Sequence, residues 1–179
     1  MELITYQIDR RDQIVSVDEA WSTFAIANGA PSLAGDAVLG TALWDHIADE
    51  PTRGIYQEIV GRVRKGALSF SCPFRCDAPD LRRFMHMDVM AAGDGLVCFV
   101  CRVERLEARA PIAWALPLPP GQQSIRICSS CKRVELRGLW RELDEVVAGL
   151  GPLADAIARP FTHGICTDCA TRLRESHKS

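Results

Sequence analysis

The chain has 179 residues, 47% of them hydrophobic, and a formal net charge of −2. This hydrophobic fraction is enough for a globular core, and the length fits one medium domain or two small ones. The weak net charge argues against a surface for nucleic acid or an anionic membrane. The sequence shows neither a signal-peptide core nor an apolar run of roughly 18 residues, so we expect a soluble cytoplasmic protein.

In chain order, the first predicted elements are a hairpin and a helix. Residues 2–9 alternate with period two, and residues 14–17 form a second strand after a polar turn. Asp18 is placed to cap a helix over residues 19–28. One face of that helix carries Trp21, Phe24 and Ala25.

The next hundred residues predict short helical turns, one longer helix and a three-stranded meander. Residues 32–50 contain glycines and short apolar clusters, which indicate single turns, whereas residues 51–65 carry a helical stripe behind Pro51. The stripe consists of Ile55, Ile59, Val60 and Val63. Strands are predicted at 67–76, 81–92 and 95–106. The expected fold is therefore α+β, a five-stranded antiparallel sheet with helices on one face.

This order of elements resembles the PAS sensor-domain family over residues 1–106. The lead-in to the long helix carries a glycine followed by an aromatic residue and an aspartate, as PAS domains do; the matching residues are Gly40, Leu43, Trp44, Asp45 and Ile47. The resemblance implies a sensor that pairs with a second copy of itself. It also implies a cavity for a small-molecule ligand that the sequence does not identify. The expected pocket residues are Trp21, Phe24, Trp44, His46, Ile47 and Tyr56.

A proline-rich segment follows the PAS-like region. Residues 107–123 contain four prolines and show no clear period, so we interpret them as a linker. The alternative is that Ile112, Trp114 and Leu116 pack back on the preceding sheet.

Residues 124–179 contain two Cys-x-x-Cys pairs, which predict a structural zinc site. The pairs are Cys128 with Cys131 and Cys166 with Cys169. A cytosolic setting disfavours disulfides, and four thiolates fill the tetrahedral shell that zinc prefers. Backbone N–H groups in such turns donate to the sulfurs. The rival interpretations are unconnected buried thiols and a redox dithiol, although neither pair has a thioredoxin-like context.

His163 lies three residues before Cys166 and has two candidate roles. It either supports the site by a hydrogen bond to a thiolate or a nearby carbonyl, which we favour, or replaces one cysteine as ligand. We predict helices over 138–150, 152–158 and 167–175, so that the zinc-stapled module is mainly helical.

The cysteine-rich region also resembles a small C-terminal module that follows PAS, GAF and receiver domains in bacterial signalling proteins. The matching residues are Cys128, Cys131, Lys132, Trp140, His163, Gly164, Cys166 and Cys169. The resemblance implies a bacterial sensory protein whose tail passes a signal to a partner protein.

The other cysteines and histidines are expected to be structural. A second zinc site from Cys72, Cys76, Cys98 and Cys101 is disfavoured, because positions 98 and 101 of one strand point to opposite faces. His46 and His86 are candidate haem ligands, but a polar surface or a satisfied core position is the simpler interpretation.

Three functions fit these observations. The first is a non-enzymatic signal-sensing protein, in which a PAS-like domain is coupled to a structural zinc module. The second is a nucleic-acid or transcription-related adaptor that touches phosphate through basic residues of the module, namely Lys132, Arg133, Arg137 and Arg141. The third is a dithiol redox enzyme, disfavoured because an all-thiolate site leaves no open metal position.

Overall fold

A five-stranded antiparallel sheet forms the N-terminal part of the molecule. The computed structural model describes residues 3–67, 69–112, 115–117, 125–150 and 158–176, with side chains at 115–117, 149–150 and 158–160 excepted. The strands are β1 (Leu3–Ile8), β2 (Ile14–Val17), β3 (Ser69–Arg75), β4 (Leu81–Ala91) and β5 (Val97–Ala108). Their spatial order is β2-β1-β5-β4-β3, so the hairpin and the meander meet where β1 pairs with β5.

Helices between β2 and β3 cover one face of this sheet. They are α1 (Glu19–Ala27) and α2 (Glu50–Arg64), separated by 3₁₀ turns at Pro31–Leu33, Gly35–Val38 and Leu43–His46. Asp18 caps α1 by accepting from the backbone N–H of Trp21 at 2.7 Å, as predicted, and Asp49 caps α2 in the same way. The predicted apolar stripe of α2 is buried against the sheet. The α+β fold class is confirmed.

A second sheet, which the sequence analysis missed, lies in the C-terminal part. Its strands are β6 (Ala115–Pro117), β7 (Ile125–Cys128), β8 (Val134–Leu136), β9 (Leu139–Arg141) and β10 (Ala158–Gly164), in the order β6-β10-β7-β8-β9. Two helices accompany it, α3 (Leu143–Leu150) and α4 (Thr167–Glu175). The expectation of a mainly helical module was therefore wrong, although the predicted helix over 167–175 is confirmed.

The error lies at the start of the predicted helix 138–150. Arg137 and Gly138 both have positive φ, at 52° and 79°, which forms a tight turn between β8 and β9. The helix consequently begins only at Leu143. Leu139, whose spacing puts it on the apolar face of the predicted helix with Leu143 and Val146, is 57% exposed. The helix predicted over 152–158 falls mostly outside the described residues, and Ala158 begins β10.

The segment predicted as a linker adds to both sheets. Residues 107–108 complete β5, and 115–117 form β6. Ile112 is buried, but it packs with Ile125 and Ile127 in the core of the second sheet. The alternative interpretation had placed it against the first sheet. Trp114 lies outside the described residues, as does the side chain of Leu116.

The two sheets are joined by side-chain packing and by backbone hydrogen bonding. The α4 residue Leu173 is only 1% exposed and belongs to the core of the first sheet, with Ile165 and Ala170 packed beside it. At the edge of that sheet, the Arg75 N–H donates to the Ser130 carbonyl at 2.7 Å. None of the helices that the structure describes is long and apolar enough to cross a membrane.

Ion pairs reinforce this junction. The Arg75 guanidinium contacts Asp77 and Glu142, from the two parts of the chain, at 2.5 and 2.8 Å. Burial opposes ionisation of Glu142, but hydrogen bonds and charge from Arg75 and Arg133 hold its pKa below the ordinary value. Because Arg75 itself is 8% exposed, the pairing is part of the interior.

We predict that Leu173→Ala destabilises the first sheet although Leu173 lies in the last helix. Removing a buried leucine side chain costs about 2–5 kcal/mol through lost burial and the cavity left behind. Urea unfolding followed by circular dichroism measures this cost. The matched control is Leu139→Ala, at an exposed position, for which we expect less than about 0.5 kcal/mol. Equal effects of the two substitutions contradict the packing described here.

Candidate metal centre and cavities

Four cysteine sulfurs lie together where the neighbouring strands β7 and β10 end and α4 begins. Cys128 ends β7, Cys131 lies in the following turn, and Cys166 is the N-cap of α4 with Cys169 in its first turn. Their sulfur atoms all lie within 4.8 Å of one another. The predicted set is therefore brought together, and it has the geometry to hold a metal ion.

The local backbone explains how the sulfurs converge. Lys132 adopts a φ of 61°, and its N–H donates to the Cys128 carbonyl at 3.0 Å, which closes the first turn. The Ser129 N–H donates to the Gly164 carbonyl at 2.7 Å and thereby ties this turn to β10. A Cβ at Gly164 would lie 2.8 Å from an Arg126 nitrogen, so glycine gives the space that this contact needs.

Hydrogen bonds to sulfur surround the cluster, as the sequence analysis expected for such turns. Cys128 Sγ accepts from the backbone N–H groups of Cys131 and Cys166 at 3.5 and 3.4 Å. Cys166 Sγ accepts from the Cys169 N–H at 3.4 Å. Each bond stabilises a thiolate, the form that binds metal.

Arg172 is a supporting residue that the sequence analysis missed. Its guanidinium donates to Cys169 Sγ at 3.1 Å, three residues along α4. A positive charge at this distance lowers the cost of gathering thiolates in one place. The i, i+3 spacing on the helix predicted over 167–175 is the signal that could have identified it.

The thiols perturb one another strongly. Hydrogen bonds from the Cys131 and Cys169 thiols lower the pKa of Cys128 far below that of a free cysteine. The pKa of Cys131 is raised, chiefly because its thiol donates to the Cys128 sulfur. Ionisation of a second cysteine is therefore unfavourable while Cys128 is a thiolate. A cation bound among the four sulfurs relieves this opposition.

The dimensions and donor set fit zinc. Four sulfurs at about 2.3 Å from a central ion form a tetrahedron whose edges are about 3.8 Å. The Cys131 and Cys166 sulfurs are 3.7 Å apart. Cys128, Cys166 and Cys169 are at most 2% exposed, so the set is closed to solvent on most sides.

His163 is placed apart from this cluster. Its side chain is exposed, and it lines a cavity that the sulfurs do not border. Trp140, another residue of the module resemblance, packs against the cysteines. The supporting role of His163 stays a prediction, whereas Arg172 and the backbone N–H groups supply hydrogen bonds that are observed.

The other four cysteines do not form a second cluster. Cys72 and Cys101 each lie opposite Met87, so β4 separates the strands that carry them. Cys98 is on the other face of β5, where its thiol bonds to Gln7. Within the described ranges, the only cysteine, histidine or carboxylate group with metal-binding geometry is the one at 128, 131, 166 and 169.

A cavity of about 280 Å³, here called cavity one, lies between the first sheet and α1. Its walls are almost entirely apolar, with four aromatic rings and four sulfur-containing side chains. These are Tyr6, Trp21, Phe24, Phe74, Cys76, Met85, Met87 and Cys101. The indole N–H of Trp21 is already donated to the Leu33 carbonyl at 2.7 Å, so the cavity offers a ligand little hydrogen bonding.

A neighbouring cavity of about 350 Å³, here called cavity two, lies between the sheet, α2 and the C-terminal part. It shares Tyr6, Phe74 and Met87 with cavity one. The Tyr6 ring stacks on Phe99 with centroids 4.5 Å apart, which fixes the wall of cavity two. Ser129 and His163 close the side that faces the metal centre.

The structure divides the predicted pocket residues between these cavities. Trp21 and Phe24 line cavity one, whereas His46, Ile47 and Tyr56 line cavity two. Trp44 lines neither, because its indole N–H is directed to Asp12 Oδ2 at 2.6 Å.

The two candidate haem ligands have other partners. His46 bonds to Thr41 at 2.7 Å. His86 lies on the other face of β4 from the buried Met85 and Met87, and it bonds to Ser71. His86 is therefore directed away from both cavities.

The similarity of this chain to known proteins is confined to solved structures. No family model matches the chain, and no curated protein matches it. Among solved structures, the chain is similar to a sensory box sensor histidine kinase from Vibrio cholerae, with 13% identity and a TM-score of 0.43. That alignment covers 59% of this chain and 84% of the kinase structure.

We predict that Arg172→Gln weakens metal binding by about 10–100-fold, because residues that hydrogen-bond to metal ligands typically contribute that much. Competition with a coloured zinc chelator measures the affinity. Arg174→Gln is the matched control, since Arg174 is exposed two positions further along α4 and, within the described residues, forms no hydrogen bond to the sulfurs. A loss that is the same in both variants contradicts the assigned role of Arg172.

We predict that Cys72 and Cys101 resist alkylation. Burial raises the pKa of both thiols to about 12. At pH 8 only about one thiol in ten thousand is then ionised, against roughly a quarter of ordinary cysteines. The rate should rise about tenfold per pH unit between pH 8 and 10 while the fold persists. Timed iodoacetamide labelling with peptide mapping tests this, and rapid labelling of Cys101 at pH 8 contradicts it.

Proposed function

We propose that the chain is a non-enzymatic signal-sensing protein in which a PAS-like ligand-binding domain is coupled to a structural zinc module. The observation that carries the proposal is the junction of the two parts. Cavities lie under the first sheet, and Phe74 of their shared wall is followed by Arg75, whose N–H bonds to Ser130 beside the metal centre.

Zinc is the proposed metal because the donor set is four thiols, and one pair of them, Cys131 and Cys166, has the sulfur separation of a zinc tetrahedron. Sulfur occupies all four coordination positions of the metal, which leaves none for a substrate or an activated water. The metal is therefore assigned a structural role. A redox role is disfavoured by the burial of three of the four sulfurs.

The proposed ligand of cavity one is a neutral apolar compound. Its walls offer rings and sulfur, which favour aromatic contacts, and burial keeps the Cys101 thiol protonated with a pKa of about 12. A protonated thiol does not ligate a metal, so the cavity is suited to an organic molecule and not to an ion.

Two further parts of the proposal concern partners. The PAS-like domain is proposed to form a homodimer and to pass its signal to a partner protein in the cytoplasm. Leu3 and Leu106, which are 51% and 55% exposed on β1 and β5, are the apolar side chains that we assign to the contact between copies. Light scattering on a size-exclusion column gives the oligomeric state.

The adaptor alternative receives less support from the described contacts. Two of the four basic residues assigned to phosphate contacts form side-chain bonds within the molecule, and of these two only Arg133 is paired with a carboxylate. Arg133 bonds to Glu142, and Lys132 donates to the Ser129 carbonyl. The remaining two, Arg137 and Arg141, supply two positive charges, which is few for a surface that binds nucleic acid.

We predict that Cys128→Ala abolishes zinc binding and also destabilises the first sheet. The metal holds the start of α4, and α4 supplies Leu173 to the core of the first sheet. We therefore expect the free energy of unfolding of the first sheet to fall by about 2–5 kcal/mol. Native mass spectrometry should show one zinc per chain in the parent and none in the variant. Cys98→Ala, outside the cluster, should keep its zinc. An unchanged melting curve for Cys128→Ala contradicts the structural role.

We predict that naphthalene, a neutral aromatic probe, binds cavity one. Ala30 lines that cavity and Ala48 lines cavity two, so Ala30→Phe should abolish binding and Ala48→Phe should leave it within about twofold. Ligand-observed NMR saturation transfer measures the binding. Binding that Ala30→Phe does not affect contradicts the assignment of cavity one.

A further inference from the structure

Cavity two is built by both parts of the chain. The 3₁₀ turn Leu43–His46 and α2 supply one side, and the first sheet supplies the base. The C-terminal part supplies Ser129, next to the metal-cluster residue Cys128, and His163 of β10. At about 350 Å³ the cavity is at the lower end of the range for small-molecule sites, which is roughly 300–1,000 Å³.

The walls of cavity two are divided into an apolar and a polar side. The apolar side contains the rings of Tyr6, Phe74 and Phe99. On the polar side, the Thr52 hydroxyl is donated to Asp49, and the Tyr56 hydroxyl is bonded to Cys72. Burial raises the pKa of Tyr56, so this ring remains a neutral phenol.

Two polar side chains of the lining are left for a ligand. Neither the Ser129 hydroxyl nor the His163 ring has a hydrogen-bond partner within the described part of the chain. The third polar group is His46. The Thr41 hydroxyl donates to the Val38 carbonyl, so the His46 Nε2 that contacts Thr41 carries a hydrogen.

Two cationic side chains lie beside this cavity. Arg53 donates to the carbonyl of the lining residue Ile47 at 2.8 Å, and Lys132 donates to the carbonyl of Ser129 at 3.0 Å. Neither cation forms an ion pair with a carboxylate that the structure describes. Asp49, the acid bonded to a lining residue, is buried and engaged as the cap of α2.

We propose that cavity two binds a small organic anion with a ring-sized apolar body. The body lies against Tyr6 and Phe99, and the anionic head is held by Ser129 and His163 in the field of Lys132 and Arg53. Because Ser129 adjoins Cys128, the bound anion links the two parts and slows release of the metal. This inference rests on the proposed function and extends it by a second ligand class.

The test uses the zinc-loaded 179-residue chain with two matched probes, 1-naphthaleneacetate and 2-(1-naphthyl)ethanol. They share one ring system and differ in the charge of the head. We expect calorimetry to show at least tenfold tighter binding of the acetate. Ala48→Phe should abolish acetate binding, and His163→Ala should weaken it by about tenfold. His86→Ala, on the outer face of the sheet, should leave it unchanged.

The link to the metal has its own measurement. Saturating acetate probe should slow zinc removal by a chelator at least threefold in the parent and not in Ala48→Phe.

Each contrary result has a defined meaning. Equal affinity for the two probes, or acetate binding insensitive to Ala48→Phe, overturns the proposal. Acetate binding without slower zinc removal overturns the coupling. If naphthalene binds cavity one but the acetate does not bind, this inference fails and the proposed function stands; if neither binds, both fail.

Discussion

The meeting of four sulfurs is the constraint on which the rest of the structure depends. Cys131 and Cys166 are 35 residues apart in sequence, yet their sulfurs lie 3.7 Å from each other. Since Cys166 is the N-cap of α4, the same contact fixes where that helix begins. The helix then carries Leu173 into the core of the first sheet. A metal ion held by the four sulfurs would fix α4 against the first core, and its binding free energy would then contribute to the stability of both parts.

The same junction gives a physical route from cavity to metal centre. Phe74 lines both cavities, and the next residue, Arg75, forms the backbone bond to Ser130. The Arg75 guanidinium adds ion pairs to Asp77 and Glu142. A ligand that changes the position of β3 therefore acts on a strand edge already bonded to the metal module. Coupling of this kind requires only that ligand and metal favour the same arrangement of that edge.

The N-terminal fold and the two cysteine pairs of the cluster were predictable because their signals are local and strongly periodic. The stripe of α2, the Asp18 cap and the Cys-x-x-Cys spacings each fall within a few residues of sequence. The second sheet was missed because strands such as Leu139–Arg141 contain only three residues, too few to show a period of two. Leu139 also fitted the helical stripe of α3, and the Arg137-Gly138 turn was the contrary signal. The docking of α4 on the first core depends on contacts distant in sequence, which no local pattern reports.

The central claim is that four thiolates and no histidine hold one structural zinc ion. X-ray absorption at the zinc edge of the purified 179-residue chain tests it most directly, because the fine structure gives the type, number and distance of the ligands. The account predicts four sulfur neighbours at about 2.3 Å and none of the multiple-scattering features of imidazole. A shell with three sulfurs and one nitrogen, or with an oxygen from water, contradicts it.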